Sequence, residues 1–369
     1  MKKALVVVAL LALAAPAYAQ LGGIGGAINK AQKAKETKDK IDDLVFSEEE
    51  ERKIGEDVSV KIRQRFGVVQ DPAVHKYVAL VGTALTQQTE RANLAWTFIV
   101  LDTDGVNAFA SPGGFVHITR GALGLIHNES ELAGVLGHEI GHVVRKHTIN
   151  AIRKSNAVKL GSDAAGSRNA LIGAVANAAY SNILENAYDR GDELDADKYA
   201  IGLTPKIGYT AKSLGEFLQR LDDRNQNQPE RNGLFASHPE TTERITKIGQ
   251  LAAAAKTTAV VEARYHTNIS YKPVDMASIA TVVDGASGLT GSSAPAKEPE
   301  KKEEPKKKGL SLSSLKPSVP SEKQSAQVSA SGGARGLGAD RAAKGGSNPN
   351  PVKVSVSAAE VETFKKGIS

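Results

Sequence analysis

Three histidines and one glutamate fall within Gly137–His147, GHEIGHVVRKH. His138, Glu139 and His142 spell H-E-x-x-H. On a helix, residues four apart lie about 40° from a common azimuth, so His138 and His142 point the same way. Two imidazoles on one face suit a zinc ion, which takes nitrogen ligands at about 2.0–2.1 Å. Glu139, one residue on from the first histidine, reaches a water on the metal without binding the metal itself. Such an ion lowers the pKa of its water to about 7 and polarises a carbonyl, while the carboxylate takes the proton and later delivers it to the leaving nitrogen. This is the chemistry of a metal-dependent hydrolase. His147 stands apart, because five residues beyond His142 it has turned about 140° along the helix. A metzincin would place its third histidine six residues after the second, with glycine midway, but those positions are Thr148 and Arg145. His147 therefore reads as structural, the partner of a neighbouring carbonyl or carboxylate.

A catalytic zinc keeps three protein ligands and one open position, so one ligand must come from elsewhere. Between Glu139 and Glu185 the only carboxylate is Asp163, in a Gly/Ser-rich loop. Glu185, Asp189, Glu193 and Asp197 follow at intervals of four on what reads as one helix. They share a face, and spacing alone does not choose among them.

These groups need elements to hold them. Ser47 with Glu50 forms a capping box, and Ile54, Val58, Ile62 and Phe66 repeat every four residues along one helix face. Asp71-Pro72 starts a second helix with Val74, Tyr77, Val78, Val81 and Leu85 inward. LAWTFIVLD is rich in aromatic and β-branched residues and predicts a strand. A turn at Ser111–Gly114 and a short strand from Phe115 to Ile118 follow. Asn128 with Glu131 then launches a long helix that carries the motif and runs on to the break at GSDAAGSR. The apolar stretch from Leu171 to Tyr180 is too short to span a membrane, which takes about 20 residues. It reads as a buried helix, or as a face that leans on lipid or on unfolded substrate.

The chain has 369 residues, a net charge of +6 and no cysteine. Thiol catalysis, cysteine–zinc knuckles and iron–sulfur clusters are excluded. Its lysines cluster in mixed-sign runs such as KEPEKKEEPKKK, which read as solvated tail; nucleic acid is not an expected partner. Residues 1–19 read as a signal peptide: Lys2 and Lys3, an apolar run from Ala4 to Ala15, then Pro16 and the small-x-small pattern before Gln20. The expected setting is outside the cytoplasm, in the periplasm of a Gram-negative bacterium. Residues 20–45 read as a Gly/Lys-rich linker, 46–255 as the catalytic domain and 256–285 as its extension. Residues 286–349 are too poor in large apolar side chains to offset ordering entropy and read as disordered. Residues 350–369 regain alternation and a capped helical pattern, with Ser357 and Glu360 as the box.

HEIGHVVRKH, GDELDADKYA and SHPETTERI, preceded by NAFASPGGFVHITRGAL, together resemble the HtpX, CAAX-prenyl-protease and Oma-type family of zinc metallopeptidases. The likeness is greatest to the exported bacterial branch that includes the β-barrel assembly-enhancing protease, and it covers roughly residues 45 to 255. The resemblance implies a mainly helical α+β, zincin-like domain with a small β-sheet and one zinc ion per chain. It implies Glu193 as the third ligand and Asp197 as the carboxylate that orients a ligand imidazole. His238 would lie near the metal, either as a transition-state donor or as a fourth ligand that blocks the open position. Arg244 would anchor that segment through carboxylates. Asn107 and the Gly113-Gly114 edge would hold the substrate backbone by strand addition. The implied function is zinc-dependent endoproteolysis of proteins or peptides, misfolded envelope proteins among them. The alternative is a chaperone-like zinc-binding protein without activity. Many relatives carry membrane spans or a tetratricopeptide domain, and no 34-residue helical repeat follows residue 255 here.

Overall fold

Ser47 opens the first helix as anticipated. In the computed structural model its side chain accepts from the Glu50 N–H at 3.2 Å, and Glu50 accepts in return from the Ser47 N–H at 3.0 Å. The structure describes residues 45–154, 167–185, 188–225, 238, 241–281, 340 and 342–368. The expected signal peptide, nearly all of the expected linker and residues 286–339 lie outside them. Helix α1 (Glu48–Phe66) buries Ile54, Val58, Ile62 and Phe66. Asp71 caps α2 (Pro72–Thr86) by accepting from the Ala73 and Val74 N–H groups.

A three-stranded sheet lies between the helices in the order β1-β3-β2. Strands β1 (Thr97–Leu101) and β3 (Phe115–Thr119) are parallel, with Ile99 opposite His117; β2 (Ala108–Ser111) is antiparallel to β3. Side-chain alternation splits the sheet between two apolar clusters. Phe98, Val100, Val116 and Ile118 face one with α2, while Ile99, Leu101, Phe109 and Phe115 face the other with α1. Strand β2 was not anticipated, because its four residues carry a single large apolar side chain, Phe109. A 3-10 turn, Pro112–Gly114, joins it to β3, with Gly113 at φ 70° and Gly114 at φ 95°.

The expected long motif helix is shorter than its sequence suggested. After α3 (Arg120–Leu125), α4 (Glu129–Val144) is capped by Asn128 and ends at Arg145. Lys146 adopts φ 58°, and a new helix, α5 (His147–Lys154), begins beside it. No glycine or proline marks this break, and the sequence reading ran through it. The expected acidic helix is likewise two: α6 (Arg168–Glu185), then α7 (Arg190–Leu203), with Asp189 as the N-cap of α7. Helix α6 packs along α1 and buries Ile172, Val175, Ala176 and Ala179, so its apolar half fills the core. Among the described residues no helix is long and apolar enough to cross a membrane. Helices α8 (Ser213–Asn225), α9 (Thr241–Ala252) and α10 (Glu262–Asn268) complete the first cluster.

The far end of the chain belongs to the same core. The expectation of disorder through residue 349 is corrected for its last stretch. The Lys344 N–H donates to Ala280 O, that of Gly346 to Asp102 O at 2.8 Å, and that of Val68 to Asn348 O at 2.7 Å. These contacts are made by backbone, which composition does not register; a Cβ on Gly345 would fall 1.8 Å from the Phe66 carbonyl oxygen. An extended segment then leads to α11 (Ala358–Lys366), whose Val361 and Phe364 join the core with Ile368. The Arg264 guanidinium lies 4.1 Å from the Phe364 ring centroid and donates to Phe364 O at 3.0 Å. Phe364→Ala should therefore cost about 3 kcal/mol, the lower end for a buried Phe truncation, read as a lower urea midpoint with an unchanged slope.

Candidate active site

Helix α4 presents glycines where α7 crosses it. A Cβ on Gly141 would lie 3.2 Å from Ala196 Cα and 3.1 Å from Tyr199 Cβ, and one on Gly137 would lie 3.4 Å from Ala200 Cα. Small residues on both helices bring the backbones close, and Glu193 and Asp197 arrive above the two motif histidines.

Four potential ligand atoms converge there, from His138, His142, Glu193 and His238, all buried and all within 4.8 Å of one another. The Nε2 atoms of His138 and His142 are 3.0 Å apart, and His238 Nδ1 is 3.2 Å from His138 Nε2. Glu193 Oε1 lies 2.9 Å from His238 Nδ1 and 3.4 Å from His142 Nε2. Donor atoms about 2.0–2.1 Å from a tetrahedral centre are about 3.3 Å apart, so these separations fit one zinc ion. His138, His142 and Glu193 would hold it, with His238 in the fourth position. Burial pushes the His142 imidazole down to about 4, which leaves it neutral and able to offer a lone pair.

Each ligand is itself held. His138 Nδ1 is 2.9 Å from Asp197 Oδ1, and Arg244 grips Asp197 through Nε and Nη2, each at 2.7 Å. Arg244 Nη1 also stands 2.7 Å from Glu193 Oε2 and donates to His238 O at 3.2 Å. Burial alone would raise the Asp197 carboxyl; the Arg244 charge overrides it and holds the group at about 2. The same contest holds Glu193 well below the usual carboxylate range, with His238 and Arg244 opposing desolvation. His142 Nδ1 meets His147 Nδ1 at 3.0 Å, and Tyr188 stacks on the His142 ring at 4.0 Å. Beyond its last turn, α4 is clamped: Arg91 donates to Val143 O at 3.1 Å and to Glu51 at 2.8 Å, and Lys146 pairs with the same Glu51.

Glu139 is fully buried, and neither of its carboxylate oxygens has a hydrogen-bond partner among the described residues. His238 Nε2 stands 3.7 Å away. Burial pushes the Glu139 carboxyl up. Beside such a ligand cluster, a buried carboxylate without a hydrogen-bond partner among the described residues would be placed to accept a proton from a water held there.

The structure thus gathers His138, Glu139, His142, Glu193, Asp197, His238 and Arg244. The other three expected residues lie in and beside the sheet, where they make structural contacts. Asn107 Oδ1 accepts from the Ala108 N–H at 2.9 Å, and its N–H donates to Thr119 Oγ1 at 3.0 Å, which pins the start of β2. Gly113 and Gly114 form the turn; a Cβ on Gly113 would lie 2.5 Å from Arg52 Cα, so it faces α1 and offers no free strand edge. Strands β1 and β2 are the two edges of the sheet, and Ala110, Ser111 and Pro112, at and just beyond β2, line a small cavity beside His142. Sequence reasoning did not find Tyr188 or the Glu51–Arg91 clamp, which are distant in the chain and carry no motif.

Residues 72–252 match the pattern of Peptidase family M48. The chain carries a Peptidase family M48 domain. The family is one of zinc metallopeptidases, and the ligand cluster of this M48 domain matches that metal. The chain is 28% identical over 201 residues to the putative beta-barrel assembly-enhancing protease of Vibrio cholerae, covering 50% of this chain and 40% of that protein. It is 30% identical over 158 residues to metalloprotease YcaL of Escherichia coli K12, covering 42% and 61% of the two chains. With the mitochondrial metalloendopeptidase OMA1 of Schizosaccharomyces pombe it shares 24% identity over 219 residues, 58% and 65% of the two. The chain spans less than two thirds of each of these relatives.

Arg244 is the counter-charge for two buried carboxylates of the M48 domain. Arg244→Met should destabilise the zinc-free protein by about 3–5 kcal/mol, because Asp197 and Glu193 are left unpaired out of water. Urea unfolding in the presence of a chelator measures it.

Proposed function

We propose that this protein is a zinc-dependent endopeptidase that cuts proteins or peptides in the bacterial cell envelope, misfolded envelope proteins among them. The observation that carries the reading is Glu139, a fully buried carboxylate with no hydrogen-bond partner among the described residues, beside a three-histidine, one-carboxylate cluster. A site that only holds zinc for structure has no use for such a base. Bound zinc supplies a polarised water and a Lewis acid; Glu139 takes and returns the proton, and Asp197 and Arg244 fix the ligands that carry the ion. The envelope setting rests on the sequence of residues 1–19 and on the names of the bacterial relatives. Replacing Glu139 with Gln keeps both motif imidazoles, so zinc should stay near one per chain while casein hydrolysis falls at least about a hundredfold. Full activity in this variant would end the proposal.

A second reading has its own support. With His238 Nδ1 inside the ligand cluster, four protein atoms surround the metal position, as in a closed structural site. We read this as a latch: His238 occupies the place that water or substrate takes during turnover. His238→Ala should then raise casein cleavage and leave zinc bound. A rate that falls by about 2.7–4 kcal/mol in barrier would make His238 a transition-state donor instead. Zinc without cleavage in either protein would favour the non-enzymatic, chaperone-like reading.

A further inference from the structure

We propose that His147 is a positioning residue for the metal: it accepts a hydrogen bond from Nδ1 of His142 and so holds that imidazole with Nε2 turned to zinc. The inference rests on the zinc reading above and adds a residue to it.

The geometry points one way along a chain of atoms. His142 Nε2 is the atom that meets His138 Nε2 and Glu193 Oε1, at 3.0 and 3.4 Å. An imidazole that ligates through Nε2 keeps its proton on Nδ1. That N–H faces His147 Nδ1 at 3.0 Å, so His147 is the acceptor. The His147 proton then sits on Nε2, which faces Asp195 Oδ2 at 3.4 Å and Asp192 Oδ1 at 3.8 Å. Donors and acceptors therefore run in a single direction from the metal position to two carboxylates of α7. His138 has the equivalent support in Asp197, but there the carboxylate touches the ligand ring directly. The two motif histidines are thus oriented by different chemistry, one by an anion and one by a neighbouring imidazole.

The break in the motif helix makes this contact. On a continuous helix His147 would point about 140° away from His142. Lys146, at φ 58° and paired with Glu51, reverses the chain and returns His147 to the ligand. The next residue contributes as well. Thr148 Oγ1 is 2.9 Å from the hydroxyl of Tyr188, the ring stacked on His142. The first two residues of α5 thereby hold His142 by its edge and by its face. A non-glycine residue disfavours the left-handed region, so this turn persists against its own preference.

The test separates a hydrogen bond from mere filling of space. His147→Asn places a carbonyl oxygen where Nδ1 stands, whereas His147→Phe keeps the ring and removes both nitrogens. Zinc affinity is measured by chelator competition, and the visible spectrum of the cobalt-substituted protein reports the ligand geometry. Wild type and His147→Asn should bind zinc within a few-fold of one another; His147→Phe should bind about 10- to 100-fold more weakly, with an altered cobalt spectrum. Thermal melting of the zinc-free proteins controls for folding. If His147→Phe does not fold, His147→Gln provides the contrast, since its polar atoms lie one bond too far out, and Asn should bind more tightly than Gln. Equal zinc affinity in Asn and Phe, or in Asn and Gln, overturns the assignment. A wild-type protein that binds no zinc would overturn the metal reading itself, a result distinct from any difference among the variants.

Discussion

The contact between α4 and α7 sets His138, Glu139 and His142 against Glu193 and Asp197. The two helices approach closely along a seam of small residues. Gly137 and Gly141 on one side, with Ala196 and Ala200 on the other, remove the atoms that would keep them apart. The seam is tightest at Gly141, where an added Cβ would lie 3.1 Å from Tyr199 Cβ and 3.2 Å from Ala196 Cα. The sheet, α2 and α8 bear on the same pair of helices, so the core sets the spacing that the chemistry needs.

Such close packing places several charges out of water, and their balance follows. Glu139, Glu193 and Asp197 are all buried, against a single buried guanidinium, Arg244. Arg244 serves two of the three carboxylates; the third, Glu139, has no hydrogen-bond partner among the described residues, with His238 Nε2 3.7 Å away. In an interior where unpaired charge is costly, the divalent cation of the zinc reading is the natural complement to the remaining negative charge. Metal binding and domain stability are therefore expected to be linked.

Periodicity made half of the site legible. The four-residue spacing of His138 and His142 lies within α4, where helical geometry holds, and Glu139 follows from it. The same rule left four acidic residues equivalent, because it assumed one continuous helix. The backbone is in fact extended at Asp189, whose side chain caps α7, and this sets Glu193 and Asp197 on a helix of their own. Resemblance to a family pointed to Glu193; spacing did not. The turn at Lys146 was hidden for a related reason. Its left-handed backbone is held by an ion pair to Glu51, a residue 95 positions away, and no local signal records that. The glycine pair Gly113-Gly114 carries a packing role that its sequence did not announce: the space beside Gly113 is filled by α1. At the C-terminal end, backbone contacts through Ala343, Gly345 and Gly346 ordered a stretch that composition marked as unable to fold.

That last stretch also bears on the timing of folding. Arg63 donates to Pro349 O across a separation of 286 positions, and Lys76 pairs with Glu360 across 284. Helices α1 and α2 are completed by groups that lie far later in the chain. Contacts so distant in sequence form slowly, because a long loop must close before they contribute. The frame around the motif helix is thus closed by contacts between segments far apart in sequence, and the loop-closure entropy of those contacts is part of what the domain must overcome to fold.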